Sequence, residues 1–333
     1  PKIFYNKQAI PFKVGQSILD AMIEFDCHPV YSCKKGVCQT CLLKSDDRQV
    51  ASAQKDVKET LIAQGYFLAC QCYPKEDIKV NKTDNSELEV DVKLISKTHI
   101  SSDIVILKLS LPDDKNLNIK PGQFINLTQQ DLTRSYSIAN NPQKDKFIEL
   151  HTQKVQNGEM SNWLYDNSDI GDSLKIKGPF GTCVYLESHL NNALVLIGTG
   201  TGLAPLIGII KQALANNHQG NITLFHGSRH INGLYLHQDL KNLASEHDNF
   251  IYYPCLSGES EDREALQDEN ITQGRVNKIA MSTLTQFNSA KFYLCGHPDM
   301  VKNMKKMLYL SGADLNNINA DPFEYTDYNQ QAG

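Results

Sequence analysis

The cysteines constrain this chain most. Nine are present, at 27, 33, 38, 41, 70, 72, 183, 255 and 295, and six of them fall in the first 72 of 333 residues. An odd count, with no basic stretch leading into an apolar run at the start, speaks against a disulfide framework and for metal or redox chemistry. Pro1 reads as the residue left by removal of an initiator methionine, and a cytoplasmic location is expected.

Cys33-Lys34-Lys35-Gly36-Val37-Cys38-Gln39-Thr40-Cys41 has the spacing C-x4-C-x2-C, and Leu68-Ala69-Cys70-Gln71-Cys72 follows about thirty residues later. This is the ligand pattern of a [2Fe–2S] cluster. Gly36 lets the backbone approach the inorganic sulfides, and loop amides can donate to sulfur. Structural zinc takes paired C-x2-C knuckles, of which one is present, and a Cys38/Cys41 dithiol would sit beside a βαβ unit that is missing here. Cys70 and Cys72 compete for the fourth ligand position. Cys27, Cys183 and Cys255 read as small apolar core residues.

Charge excludes some functions. The 33 basic and 38 acidic residues leave −5, and no Lys/Arg block is longer than a pair, so no nucleic-acid partner is expected. Residues 1–82 carry 12 basic and 9 acidic side chains, the remainder 21 and 29. Lys34 and Lys35 inside the cysteine loop could therefore steer an acidic protein electron acceptor. Residues 193–210 run 18 positions without a charge, but Gly198, Gly200, Gly202, Gly208 and Pro205 divide them into strand, loop and helix. No membrane span is expected.

The patterning predicts a multidomain α+β and α/β chain. Residues 1–82 read as a β-grasp domain: strands at 3–5 and 10–14, then a helix over 18–23 capped by Ser17. Residues 83–88 read as a polar linker. Residues 89–190 show regularly spaced short strands, among them 90–94, 104–109 and 124–127, which predict an antiparallel β-barrel. One short helix is expected over 159–165. Residues 191–333 alternate strands at 193–197, 222–226, 250–254 and 291–295 with helices at 203–216, 236–247, 276–281 and 298–311, which predicts a doubly wound parallel sheet.

Three further strings suggest nucleotide chemistry. Arg134-Ser135-Tyr136-Ser137 offers a charged fork for a pyrophosphate, an aromatic ring for a flavin face and a hydroxyl for its polar edge. Gly158-Glu159-Met160-Ser161 opens a helix, where free N–H groups favour phosphate. Gly198-Thr199-Gly200-Thr201-Gly202-Leu203-Ala204-Pro205 joins a strand to a helix. Leu203 breaks the G-x-G-x-x-G fingerprint, although close phosphate approach is still available.

Tyr31 to Cys41 with Leu68-Ala69-Cys70 resembles the plant-type ferredoxin family, which implies Cys33, Cys38, Cys41 and Cys70 as ligands and leaves Cys72 structural. Over residues 88–333, the Arg134 and Gly158 strings with Gly178-Pro179-Phe180-Gly181 resemble the ferredoxin–NADP reductase superfamily. That resemblance implies FAD, its pyrophosphate held by Arg134, Gly158, Met160 and Ser161, with Tyr136 and Ser137 at the ring. It also implies nicotinamide binding at Gly198, Thr199, Gly200, Thr201, Gly202 and Pro205, and at Cys295, Gly296 and Met300. Ser137, Cys295 and Phe323 are implied as the catalytic set. Arg229 would meet the adenosine ribose; with no second basic residue in the next five positions, NADH is favoured over NADPH.

The whole-chain order, ferredoxin then reductase, resembles reductase components of bacterial multicomponent oxygenases, of the benzoate dioxygenase type, and the reductase for CDP-6-deoxyhexose dehydration. The resemblance implies an electron path NAD(P)H, FAD, [2Fe–2S], partner protein, with an oxygenase component placed first and the deoxysugar dehydratase as alternative. A stand-alone flavin reductase and a redox sensor without turnover are the remaining readings.

Overall fold

The computed structural model describes residues 1–323 apart from 28, 32, 56, 58, 83–88, 113–116, 118 and 259–269. The expected linker, 83–88, and Ser32 of the cysteine loop therefore lie outside the described residues.

The first unit is built on a small sheet and one helix. β1 (Lys2–Tyr5) pairs antiparallel with β2 (Gln8–Pro11) and parallel with β5 (Ile78–Lys79). β2 stops at Pro11 rather than at 14, because Lys13 to Gln16 close a turn through the Gln16 amide and the Lys13 carbonyl. α1 (Ile18–Glu24) is capped by the Ser17 hydroxyl on the Asp20 amide, as the sequence predicts. Ile18, Leu19 and Met22 bury its inner face against Ile3, Ile10, Phe67 and Ile78. β3 (Leu42–Lys44) and β4 (Tyr66–Leu68) form a separate ribbon, and α2 (Glu59–Ile62) precedes β4.

The second unit is a six-stranded antiparallel sheet ordered β10-β7-β6-β11-β8-β9. Its strands are β6 (Val90–His99), β7 (Ile104–Ser110), β8 (Phe124–Gln129), β9 (Leu132–Ser137), β10 (Phe147–Gln153) and β11 (Ser173–Phe180). A bridge between Ile138 and Leu150 joins the two edges and closes the barrel. Its interior is aliphatic: Leu94, Val105, Leu107, Leu109, Ile125, Leu127, Ile148 and Leu150 are fully buried. α3 (Pro142–Asp145) links β9 to β10. The expected helix at 159–165 is α-helical only over α4 (Glu159–Asn162) and continues as a π turn over Trp163–Asn167.

The third unit is a parallel sheet ordered β15-β14-β13-β12-β16-β17. The predicted strands appear as β12 (Leu194–Thr199), β13 (Ile222–Ser228), β14 (Phe250–Leu256) and β16 (Lys291–Gly296). They alternate with α5 (Leu203–Ala215), α6 (His237–Glu246), α7 (Val276–Thr283) and α8 (Pro298–Leu310). Two edge strands were not foreseen, β15 (Thr272–Gln273) and β17 (Ile318–Pro322). The uncharged stretch at 193–210 is β12, a 3-10 turn and the start of α5. No helix among the described residues is long and apolar enough to cross a membrane.

Candidate functional site

The cysteine loop owes its shape to three residues with left-handed φ, Lys34 (+54°), Gly36 (+82°) and Gln39 (+54°). Successive turns of this kind point backbone amides inward, as in anion-binding nests. The amides of Lys35 and Cys38 donate to Cys33 Sγ at 3.3 Å, and that of Cys33 to Cys38 Sγ at 3.4 Å. Thr40 Oγ1 donates to Cys38 Sγ at 3.1 Å. Hydrogen bonding from Cys38 and these amides pulls the Cys33 thiol down to about 5. Cys70 enters from the far side of the β3–β4 ribbon: Leu42 pairs with Leu68, and the Ala69 amide donates to the Cys41 carbonyl at 3.1 Å.

The thiols of Cys33 and Cys38 interact with each other, and so do those of Cys41 and Cys70. Two pairs suit two irons. The paired thiols fit a binuclear cluster, and a single C-x2-C knuckle is not the donor set of structural zinc. Cys72 is fully buried, its thiol on the Gln49 carbonyl at 3.7 Å, while Gln71 Nε2 reaches Cys70 Sγ at 3.5 Å.

A cavity of about 230 Å³ lies where the three units meet. The cluster loop contributes Cys33, Lys35, Val37 and Cys38; the barrel contributes Phe124, all of Arg134 to Ser137, and Gly158 to Ser161; the parallel-sheet unit contributes Thr201, Ala204 and Asp321 to Phe323. Asn126 Nδ2 donates to the Cys38 carbonyl at 2.8 Å, and Phe124 and Phe180 pack on Cys38, fixing the cluster loop to the barrel. The Arg134 string lies on a strand of its own, β9, paired residue for residue with β8. Burial raises the Tyr136 phenol, with Arg134 opposing, so the ring stays neutral. A Cβ on Gly158 would come within 2.5 Å of Ser161 Oγ, which accepts from the Val155 amide, so a side chain there would displace that hydroxyl.

The glycine-rich turn is tightly built. Gly200 to Gly202 form a 3-10 turn ahead of α5, and a Cβ on Gly202 would lie 2.4 Å from the Cys295 carbonyl oxygen. Thr199 Oγ1 accepts the His297 amide at 3.1 Å, and the Phe323 amide donates to the Gly296 carbonyl at 2.8 Å. Thus Phe323 is held at the cavity mouth by its backbone. The structure does not bring every expected residue to the wall. Cys295 is fully buried behind it, its Sγ 3.8 Å from Cys183 Sγ, and Gly198, Thr199, Gly200, Gly202, Pro205, Gly296, Met300 and the exposed Arg229 stand outside it.

His151 and Asp321 are among the lining residues that escaped the sequence reading. His151 bonds Glu149 at 3.2 Å and Tyr235 of the parallel-sheet unit at 3.0 Å. Asp321 is paired with Cys295 across β16–β17 and accepts from Ser137 Oγ at 3.4 Å. Burial pushes its carboxyl up to about 6 from an ordinary 3.8, with Ser137 opposing. Between those values the folded chain holds a proton that the unfolded chain releases, so stability falls as pH rises and the whole deficit is present above pH 6. Asp321→Asn should therefore raise the melting temperature at pH 8 and give a smaller gain at pH 5, read by thermal melts at equal flavin loading. An equal gain at both would remove the titration from the explanation.

A thiolate-lined loop, a cavity carrying the flavin strings and a glycine-rich strand end define an electron-transferring flavoprotein reductase. Known proteins agree. Residues 3–75 match the 2Fe-2S iron-sulfur cluster binding domain, 91–185 the oxidoreductase FAD-binding domain and 196–306 the oxidoreductase NAD-binding domain. The CDP-6-deoxy-L-threo-D-glycero-4-hexulose-3-dehydrase reductase of Yersinia pestis is 31% identical over 92% of this chain and 93% of its own. Reductase component 2 of terephthalate 1,2-dioxygenase from Comamonas sp is 28% identical over 95% and 94%. The crystal structure of the Amycolatopsis cytochrome P450 reductase GcoB superposes with a TM-score of 0.67 at 27% identity, covering 97% of this chain and 98% of that one. The chain belongs to the family of NAD(P)H-dependent iron–sulfur flavoprotein reductases, with FAD, NAD(P)H and a [2Fe–2S] cluster as its redox groups.

Proposed function

We propose that this reductase serves a separate 6-deoxyhexulose dehydrase, with NADH as donor, in the cytoplasm. The observation that carries the relay itself is the shared cavity: Cys33 and Cys38 line the same space as Arg134 to Ser137 and Phe323. When bound, FAD supplies the exchange between the two-electron chemistry of a nicotinamide and the one-electron chemistry of the cluster.

In this reading Cys33 and Cys38 hold one iron, Cys41 and Cys70 the other. Arg134, Gly158, Met160 and Ser161 hold the pyrophosphate, and Tyr136 covers the ring. Ser137, with Asp321 behind it, orients the ring edge. Phe323 guards the nicotinamide face, and Cys295 supports that face from behind. Gly198 to Gly202 with Pro205, and beyond them Gly296 and Met300, receive the nucleotide. Arg229 meets its ribose. NADPH is the alternative donor. The functional domains run 1–82, 89–190 and 191–333.

The dehydrase reading is favoured by the 31% identity of the Yersinia relative over nearly the whole chain; the dioxygenase relative supports an oxygenase component as second reading. The test is reconstitution. The holo-protein with NADH should support turnover by a purified 4-hexulose dehydrase. Support of a dioxygenase component and not of the dehydrase would reverse the order of the two readings. The ratio of kcat/KM for NADH to that for NADPH should exceed one.

A further inference from the structure

Lys175 and Lys177 project from the same face of β11, yet their surroundings differ. Lys175 is half exposed and pairs with Glu89 at 3.4 Å. Lys177 is only 9% exposed, unusual for a lysine in a barrel wall. Its cross-strand partner on β8 is Asn126. Directly paired residues present their side chains on one face of a sheet. Asn126 uses that face to hold the Cys38 carbonyl, and Ser135 Oγ donates to Asn126 Oδ1 at 2.8 Å. Three residues on, Phe180 packs against Cys38. Lys177 is therefore buried under the cluster loop, on the barrel side of the contact.

We infer that Lys177 is a positioning cation for the cluster: its buried charge stabilises the extra electron of the reduced centre and so draws electrons from the flavin cavity toward the cysteine loop. A four-thiolate binuclear centre is anionic and gains one more negative charge on reduction, and net charge and burial are among the factors that set such potentials. In a water-poor contact a single cation acts more strongly than the exposed Lys34 or Lys35 can. Burial lowers the Lys177 ammonium to about 8, and Glu89, Cys41 and Cys38 are the anionic neighbours that pull it back up. Glu89, 20% exposed, pairs with Lys175 and is the first of the charges that act on Lys177.

The inference rests on the cluster reading and is tested apart from it. The readout is the cluster midpoint potential in an EPR-monitored anaerobic titration of the full holo-protein. Lys177→Gln should make the cluster harder to reduce by about tenfold in the one-electron equilibrium, 59 mV for such a couple. Lys177→Arg, which keeps the charge, should retain the wild-type potential, and Glu89→Gln should shift it upward. A normal cluster signal at an unchanged potential in Lys177→Gln overturns the inference. So does an equal fall in Lys177→Arg, which would make the effect one of packing. Should Lys177→Gln fail to assemble, an unmoved potential in Glu89→Gln overturns it alone. Absence of any binuclear signal in the wild-type protein would instead remove the cluster reading.

Discussion

Cys33→Ser should abolish electron delivery to a protein acceptor while leaving flavin binding and reduction of the flavin by NADH in place. Cys33 receives two backbone amides and lies in the pair nearest the flavin strings. Loss of even an outer-shell partner of a metal site costs 10–100-fold, so loss of a ligand should cost at least about 100-fold in partner reduction. The chain can lose the cluster without losing the barrel, because the barrel closes on its own aliphatic interior. Visible and EPR spectra of anaerobically purified variants, with partner-reduction rates, check this. Cys72→Ser is the companion. Its thiol is in the core on a carbonyl and away from the loop amides, so its cluster spectrum should match wild type. Loss of the cluster in Cys72→Ser with retention in Cys70→Ser would reverse the assignment of the fourth ligand.

The second large effect is expected from Gly202→Ala. The added methyl would meet the Cys295 carbonyl oxygen at 2.4 Å, its carbon at 2.7 Å and the Gly296 Cα at 2.7 Å. All three are backbone atoms of a central strand and cannot swing aside. The turn must move instead, and overpacking of this kind costs about 1–3 kcal/mol. A displacement on the scale of 1 Å between reacting groups costs on the order of 100-fold, so kcat/KM for NADH should fall by about that factor. Because the flavin strings lie on the barrel, FAD content should be unchanged, and cluster reduction after photoreduction should proceed at the wild-type rate. Stopped-flow measurement of flavin reduction by NADH separates the two halves. A rate within twofold of wild type would show that the turn does not set nicotinamide approach.

Local chemistry made much of this legible from sequence. The C-x4-C-x2-C loop carries its spacing within nine residues, and the helices and central strands of the parallel unit carry their own periodicity. What was not legible depends on long-range pairing. β17 reads Ile-Asn-Ala-Asp-Pro, with one β-branched residue and no alternation, and it is a strand only because β16 supplies a ladder. That pairing alone sets Asp321 beside Cys295. His151 owes its place to a bond across two units, and Lys177 to its register with Asn126. The Arg134 string was recognisable, but its strand was hidden because Arg134-Ser135-Tyr136-Ser137 lacks an apolar period. Cys295 shows the opposite limit: a resemblance named the residue, while the fold buries its side chain behind the wall.

Electrons should move singly from the cavity into the cysteine loop. The most direct test is EPR of the anaerobic holo-protein after excess NADH, which supplies the three electrons that flavin and cluster take together. A paramagnetic binuclear iron–sulfur signal approaching one spin per chain, absent in Cys33→Ser, is the predicted result. Full bleaching of the flavin with a cluster that stays silent would contradict it.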